Sequence, residues 1–274
     1  MNILLCVKQV PNTEELKVDA GAGTSNLDSV PKILSTFDAY ALETALMLKD
    51  ADASTKIVVV TIGTEKSKDV LKTCIATFAD KGYLVSDSAF DNADSLAISS
   101  GLSLAVKEIE KREGTAFDLI FLGRQANDTD AGQVGPQLAA FLDYPLLSYA
   151  REVSVVDGKV RAVRETEDGF IVMDAALPAV VTVTKVMGDS KEEPGLKEAK
   201  ELRYATVKSK MAANRAEIPL LSAADIGADA VVSPAKVVKT YIPPRKSGGI
   251  KIEEETGELS AEKLASLLSA AGAI

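Results

Sequence analysis

Short runs of apolar, β-branched residues alternate along the first half of the chain with longer segments of helical period. The predicted strands are residues 3–7, 57–62, 83–86 and 119–122. The predicted helices are residues 35–49, 66–78 and 94–112, and a fourth that begins near Gln133. Strand and helix alternation of this length is typical of parallel βαβ units, and strands apolar on both faces need helices on both faces. The predicted fold is therefore α/β, with three layers (α/β/α), a mostly parallel sheet and the Rossmann-like form that binds adenine nucleotides.

Two of the predicted helices begin at polar residues with the spacing of helix caps. Ser35 is followed three residues later by Asp38, which is the spacing of a capping box. Asp94 precedes the apolar positions of the third helix. We therefore expect Ser35 with Asp38 to cap the first helix, and Asp94 to cap the third.

The pattern changes after Pro145. Alternating stretches are joined by Asp157-Gly158 and Asp168-Gly169, which predict hairpin turns, and they end in the apolar run 178–184. These features predict a small antiparallel extension after the parallel part.

The last third of the chain is polar and less periodic. Residues 188–218 are expected to protrude, and no further run of strands is predicted beyond Pro219. The final helix has an apolar stripe with few partners in so short an arm, which indicates that the arm packs on another chain. The predicted organisation is a nucleotide-binding domain (1–187), a protruding segment (188–218) and an extended C-terminal arm (219–274).

Composition excludes several classes of function. The net charge is -9, so clustered positive charge for nucleic acid is not expected. No apolar run approaches the length of a membrane span, and the run at 3–7 is too short for a signal peptide. We therefore expect a cytoplasmic protein without membrane insertion.

The chemistry is expected to come from a cofactor. The chain has no histidine and only two cysteines, Cys6 and Cys74, which are far apart. Nucleophilic sites that need histidine, histidine-containing metal sites and a disulfide framework are therefore not supported. No catalytic side chain and no metal ligand is predicted.

Residues 123–142 form the segment richest in candidate ligand contacts. They follow a buried strand, and ligands of open parallel sheets bind at the carboxyl ends of strands. The amides of Gly132, Gln133, Val134 and Gly135 are placed to hold a phosphate at a helix N-terminus. The loop acids Asp128 and Asp130 fit either a ribose contact, a helix cap or a solvated position.

This segment carries a family resemblance. GRQANDTDAGQVGP resembles the GRQAIDGDTAQVGP loop of electron-transfer flavoprotein beta subunits. Further stretches resemble the family in the same order, namely MNILLCVKQVP, STFDAYALETAL, VVTIG, VRETEDGFIVMDAALPAVVTVT, RYATVKSKMAA and PPRKSGGIKIE. The resemblance extends over essentially the whole chain.

The resemblance implies a subunit that works with an alpha subunit carrying FAD. In the ordinary branch of the family the beta site holds structural AMP, and in the electron-bifurcating branch it holds a second FAD. The QVGP form favours FAD, whereas Ile98, which stands where the bifurcating pattern has threonine, and the loop residues Asn127, Asp128 and Thr129 depart from that branch. Bifurcation implies NADH as electron donor, with ferredoxin and a flavin-dependent dehydrogenase as partners.

The resemblance also assigns residues to two sites. The cofactor site comprises Cys6, Phe37, Asp38, Ile62, Gly63, Ser95, Gly123, Arg124, Gln125, Ala126, Asp128, Asp130, Ala131, Gly132, Gln133, Val134 and Gly135. The site for a partner dehydrogenase comprises Arg203, Tyr204, Val207, Lys210 and Met211.

Two alternatives remain open at this point. One is a non-bifurcating beta subunit that holds AMP. The other, of a different class, is a stand-alone protein that binds or hydrolyses ATP. The second alternative accounts for the βαβ units but not for RYATVKSKM or PPRKSGG.

Overall fold

The computed structural model describes residues 1–15, 18–19, 24–25, 30–190, 196–228, 232–238, 241 and 248–274. Contacts group the chain into two units, one of residues 1–18 and 25–238 and the other of residues 19–24 and 239–274. The strands are β1 Asn2–Cys6, β2 Gln9–Pro11, β3 Val18–Asp19, β4 Thr24–Ser25, β5 Lys32–Leu34, β6 Lys56–Ile62, β7 Lys81–Val85, β8 Leu119–Gly123, β9 Leu146–Val156, β10 Lys159–Thr166, β11 Gly169–Ala176, β12 Ala179–Val183, β13 Met187–Asp189, β14 Lys197–Ala199 and β15 Leu220–Leu221. The helices are α1 Thr36–Ala51, α2 Lys68–Ala76, α3 Ser95–Glu113, α4 Val134–Leu142, α5 Val207–Ala213 and α6 Gly257–Ala270.

A nine-stranded sheet forms the centre of the first unit. Its strand order is β11-β10-β9-β12-β8-β1-β6-β7-β15. Pairing is parallel from β9 through to β15, and antiparallel only between β9, β10 and β11. The predicted parallel sheet with an antiparallel extension is confirmed.

Alternate residues of the central strands feed two separate cores. In β1, Ile3 and Leu5 belong to one cluster with α1 and α2, while Leu4 and Cys6 belong to the other with α3 and α4. Successive strand residues point to opposite faces, so a strand that is apolar at every position supplies both cores. Helices therefore cover both faces of the sheet, and the three-layer prediction is confirmed.

The run predicted at 178–184 has a different place from the one expected. It forms β12, which lies between β8 and β9 in the parallel part of the sheet rather than ending the antiparallel extension. Residues 220–221 form β15, an edge strand beside β7, although no strand was expected beyond Pro219. Both strands pair with partners distant in sequence, which a local pattern does not specify.

The two predicted hairpin turns differ in outcome. Asp157 and Gly158 form the two-residue turn between β9 and β10, both with positive φ (51° and 72°), as such turns require. In the second hairpin Thr166 pairs with Gly169, so the turn residues are Glu167 and Asp168. The second prediction was therefore shifted by one residue.

The described part of residues 188–218 includes β14, α5 and the end of β13. Strand β14 pairs with β13 in a two-stranded ribbon, and α5 packs against α2. In the second unit α6 is capped by Thr256, whose hydroxyl accepts from the amide of Leu259. Most of the PPRKSGG stretch lies outside the described residues. Within the part of the chain that the structure describes, no helix has the length and apolarity to cross a membrane.

Candidate functional site

The strand order of the sheet reverses between β1 and β8, and the name crevice is used for the space at the carboxyl ends of these two strands. The chain runs from β1 outward through β6 to β7, then returns to place β8 on the other side of β1. In open α/β sheets ligands bind at such a switch point, outside the carboxyl ends of the strands. Here those ends lead into Val7 and Lys8 after β1 and into the loop 124–133 after β8.

A buried carboxylate joins the two walls of this crevice. Asp38 accepts hydrogen bonds from the amide of Lys8 (2.7 Å), two residues after β1, and from the amide of Gly123 (2.9 Å), the last residue of β8. Burial raises the pKa of Asp38 to about 7, against the opposing effect of these two hydrogen bonds. Asp38 thus fixes the spacing of the strand ends on which a ligand would rest.

The predicted capping box of α1 was wrong, although Ser35 does precede the helix. Ser35 makes no side-chain cap, and its hydroxyl bonds to Asn127 (2.9 Å). The same Asn127 oxygen accepts from the amide of Thr36, so the loop after β8 supplies the cap. The local spacing suggested a local role for Asp38, but both of its strong partners lie across the sheet.

The packing around position 123 leaves no room for any residue larger than glycine. A Cβ added there would lie 2.6 Å from Cβ of Phe37 and 2.7 Å from the carboxylate of Asp38. It would also meet the backbone of Phe37 at 2.7 Å, a contact that no side-chain rotation relieves. The close approach of α1 to β8 at the crevice therefore depends on a residue without a side chain.

The loop after β8 is held by its own polar side chains. Lys8 bonds to Asp128 at 2.8 Å, and Gln125 donates to Asp130 at 2.8 Å. Asp130 and Gly132 both have positive φ, at 49° and 62°, which turns the loop toward α4. Both loop acids thus have partners within the chain, and their predicted ribose contacts stay predictions.

The loop also carries a stacked cation. The guanidinium of Arg124 lies 4.6 Å from the ring centroid of Phe37. Its Nη1 reaches the hydroxyl of Thr184 at 3.3 Å, which connects the end of β8 to the residue that follows β12. Ala126 and Ala131 belong to the same loop, the former half-buried and the latter exposed.

The N-termini of α3 and α4 meet beside this loop. The hydroxyl of Ser95 bonds to the side chain of Gln133 at 2.9 Å, and the two helices pack along their length. Asp94 caps α3 by accepting from the amide of Ala97, as predicted. At the start of α4, the amides of Val134 and Gly135 have no acceptor within the helix. Two helix N-termini, each with a partial positive charge, therefore adjoin one loop.

Three further predicted contacts lie at strand ends. Cys6 ends β1 with its thiol in the apolar core, and burial raises the pKa of that thiol. Ile62 ends β6 and packs against the same core, while the amide of Gly63 bonds to Val85. Because its thiol points into the core, Cys6 can contact a ligand only through its backbone. Lys8 and Asn127, which sequence analysis did not assign to the site, hold the crevice together.

The predicted docking residues divide into two groups. Tyr204, Val207 and Met211 are exposed, at 86%, 76% and 59%. Arg203 instead turns inward, where its Nε lies 3.0 Å from the buried carboxylate of Glu43 on α1. Arg203 also pairs with Asp50. This pairing with α1 was not predicted.

The chain matches a known family over most of its length. Residues 25–226 match the family described as the electron transfer flavoprotein domain. The electron transfer flavoprotein subunit beta of Megasphaera elsdenii is 39% identical over 272 residues, which cover 96% of each chain. The chain belongs to the electron transfer flavoprotein beta subunits.

Two further relatives also match over most of their length. The caffeyl-CoA reductase-Etf complex subunit CarD of Acetobacterium woodii is 37% identical and covers 98% of this chain and 97% of its own. The protein FixA of Azotobacter vinelandii is 33% identical over 90% of this chain and 86% of its own. These matches confirm the family expected from the sequence motifs.

Proposed function

We propose that this electron transfer flavoprotein beta subunit binds FAD in the crevice between β1 and β8 and pairs with an alpha subunit. In that complex NADH is the electron donor, and ferredoxin and a flavin-dependent dehydrogenase are the acceptors. The family membership argues against the alternative of a stand-alone ATP-binding protein.

The hydrogen bond between Ser95 and Gln133 carries this proposal. The segment at the start of α3 and the loop before α4 are separated in sequence, and the family resemblance assigns both to one cofactor site. Their side chains meet at 2.9 Å. One ligand at this junction is therefore within reach of both segments.

The charge at the start of α4 supports a nucleotide as the ligand of the crevice. The free amides at the start of α4 favour phosphate, because a helix N-terminus attracts negative charge. A side chain at Gly135 would collide with Thr182, so the helix start stays close to β12. The residues proposed to hold the nucleotide are the backbone after Cys6, the turn at Ile62 and Gly63, and the loop from Gly123 to Gly135.

Bound FAD would accept an electron pair from NADH and pass electrons on singly, which is the chemistry of flavin itself. The chain contributes binding and orientation. Asp38 fixes the two strand ends, Ser95 and Gln133 hold the helix starts together, and no side chain needs to act as acid or base. The lack of histidine is compatible with such a role.

A second candidate, a beta subunit that holds AMP, is favoured by one observation. Ile98 stands where the bifurcating pattern has a hydroxyl residue, and its side chain packs against the core formed with α3 and α4. Such a residue supplies no hydrogen bond to a flavin.

Counting the bound nucleotides separates the two candidates. The chain is co-expressed with its alpha subunit, the complex is denatured, and FAD and AMP per heterodimer are quantified. We expect two FAD and no AMP, followed by NADH-dependent reduction of ferredoxin. One FAD with one AMP would contradict the FAD proposal and establish the second candidate.

For the partner dehydrogenase we propose α5 as the docking element. Its exposed surface combines apolar Val207 and Met211 with basic Lys208 and Lys210, and Arg215 follows shortly after the helix. An apolar anchor among charges suits a transient complex, since charge speeds encounter and apolar burial sets the dwell time.

A further inference from the structure

Two arginines share one aromatic ring at the ligand edge of the sheet. The guanidinium carbon of Arg124 lies 5.8 Å from the ring centroid of Tyr149, and that of Arg164 lies 5.5 Å from it. Arg124 follows β8 and Arg164 lies on β10. The two side chains line one open cavity of about 560 Å³, together with Tyr149, Glu165, Thr166 and Glu167.

The backbone around this cavity is shaped to present these side chains. Tyr149 has a positive φ of 55° inside β9, which is unusual for a bulky residue. The register of β9 shifts against β12 next to it, and the pairing of β10 shifts at Arg164. Such irregularities re-aim side chains, and strained backbone concentrates at functional sites.

The positive charge in the cavity is poorly neutralised by the chain. Within the described residues, neither Arg124 nor Arg164 forms an ion pair with a carboxylate. The Nε atoms of both are buried and have no hydrogen-bond partner. Buried donors normally have acceptors, so these two guanidinium groups lack part of their expected partners.

The acids of the cavity do not supply those partners. Glu165 is paired with Lys185 at 2.7 Å. Glu167 is exposed in the turn between β10 and β11. It adds negative charge at the rim and opposes the binding of an anion from solution.

We propose that this cavity is a subsite for the phosphate group of a nucleotide ligand, bound by Arg124 and Arg164. A planar guanidinium group can donate two parallel hydrogen bonds to phosphate oxygens, and both arginines have N–H groups without an acceptor among the described residues. Arg124 also borders the crevice proposed for FAD, so the subsite adjoins that site. This inference rests on the proposed function only for the source of the phosphate, which is either NADH or the FAD of the crevice.

The test uses the complete heterodimer with inorganic pyrophosphate as the probe. Titration calorimetry is expected to show binding to the wild type, weakened about tenfold or more by Arg164→Gln, since a charged bidentate contact is worth about 1.4 kcal/mol or more. Arg164→Lys keeps the charge without the fork and is expected to be intermediate. Glu167→Gln is expected to strengthen binding several-fold.

Arg161→Gln is the matched control. Arg161 lies on the same strand β10, but it is exposed and paired with Asp174 at 2.7 Å on β11. The substitution Arg161→Gln changes the net charge by the same amount as Arg164→Gln, and we expect it to leave pyrophosphate binding unchanged. Thermal unfolding of every variant checks that the fold is retained.

Two further measurements identify the source of the phosphate. If NADH is bound here, Arg164→Gln raises the KM for NADH about tenfold at an unchanged FAD content. If FAD reaches into the cavity, the FAD content of the variant falls instead.

The subsite is overturned if Arg164→Gln changes none of the three quantities, namely pyrophosphate binding, the KM for NADH and the FAD content of the complex. If FAD fills the cavity of the wild type, pyrophosphate does not bind and the FAD content of Arg164→Gln falls. A wild-type complex that contains AMP instead of a second FAD would refute the proposed cofactor, while the pyrophosphate titration would still decide on the subsite.

Discussion

The crevice between β1 and β8 and the helix α5, which we propose as the docking element, differ in how their side chains are placed. In the crevice, a buried carboxylate is bonded to two backbone amides, and a glycine is enclosed on several sides. On α5 the large apolar side chains are exposed to solvent. The segment that precedes α5 is held to α1 by the ion pair between Arg203 and Glu43. The crevice is held by contacts within the chain, whereas the large apolar side chains of α5 are exposed.

This contrast separates positions where a substitution changes the fold from positions where it changes only binding. Enclosed positions have no room to relax, so their cost appears in the free energy of unfolding. Exposed apolar positions contribute little to that quantity. Four variants test the contrast, in order of decreasing effect on the free energy of unfolding.

The largest effect is expected for Gly123→Ala. The added methyl group would meet both the backbone of Phe37 and the carboxylate of Asp38. Overpacking combined with a weakened buried hydrogen bond should lower the free energy of unfolding by about 3 kcal/mol. Urea unfolding measures this loss, and the nucleotide content of the complex should fall with it.

Gly249→Ala provides the control, because a Cβ there meets no atom of the described residues within 4 Å. If both variants unfolded like the wild type, α1 and β8 would not be held as closely as the structure shows.

The next effect is a pH dependence from Asp38. Its pKa in the folded protein is about 7, above the unfolded value near 3.9, so folding favours the protonated form. This contribution is complete below about pH 4 and is lost as the pH rises through 7. Between pH 5 and 8 the free energy of unfolding of the wild type should fall by about 2 to 3 kcal/mol relative to that of Asp38→Asn, because the asparagine does not titrate.

Urea unfolding at several pH values measures that difference. Asp157→Asn removes one exposed acid in the first hairpin turn and serves as the matched control. A constant difference between wild type and Asp38→Asn across this range would show that Asp38 is ionised throughout.

The two regions also differ in how far sequence could predict them. The strand and helix positions could be predicted from the apolar pattern. Strands such as β1 and β6 are apolar at successive positions because they supply side chains to both cores. The cap at Asp94 was predictable because its bond to Ala97 is local. The roles of Asp38 and Asn127 were not, because their partners lie 30 to 92 positions away and depend on the strand order.

Arg203 shows the same limit in the docking region. Its motif is local and suggests an exposed partner contact, yet its partner Glu43 is 160 positions away and 2% exposed. Only the folded chain shows that the buried acid needs a cation. Similarly, the ring of Tyr149 with its two arginines combines three strands or loops and has no sequence signature.

Arg203→Ala is therefore expected to act on the fold. It leaves the carboxylate of Glu43 buried without its cation, which should cost about 2 kcal/mol, below the range for fully buried pairs because Arg203 is partly exposed. The double variant with Glu43→Gln should recover part of this loss. Lys208→Ala, on the exposed part of α5, is the control. Equal unfolding of Arg203→Ala and the wild type would assign Arg203 to partner binding alone.

The smallest effect on unfolding, and the clearest effect on binding, is expected from Val207→Ser combined with Met211→Ser. Both side chains are exposed, so the free energy of unfolding should change by less than about 0.5 kcal/mol. Loss of the apolar anchor should still weaken docking. We expect the KM of the partner dehydrogenase for the heterodimer to rise by about tenfold, while the nucleotide content of the heterodimer stays constant. Val232→Ser, which alters an equally exposed apolar residue outside α5, should leave that KM unchanged. An unchanged KM in the double variant would place the docking surface elsewhere, because α5 has no other large apolar side chain to provide the anchor.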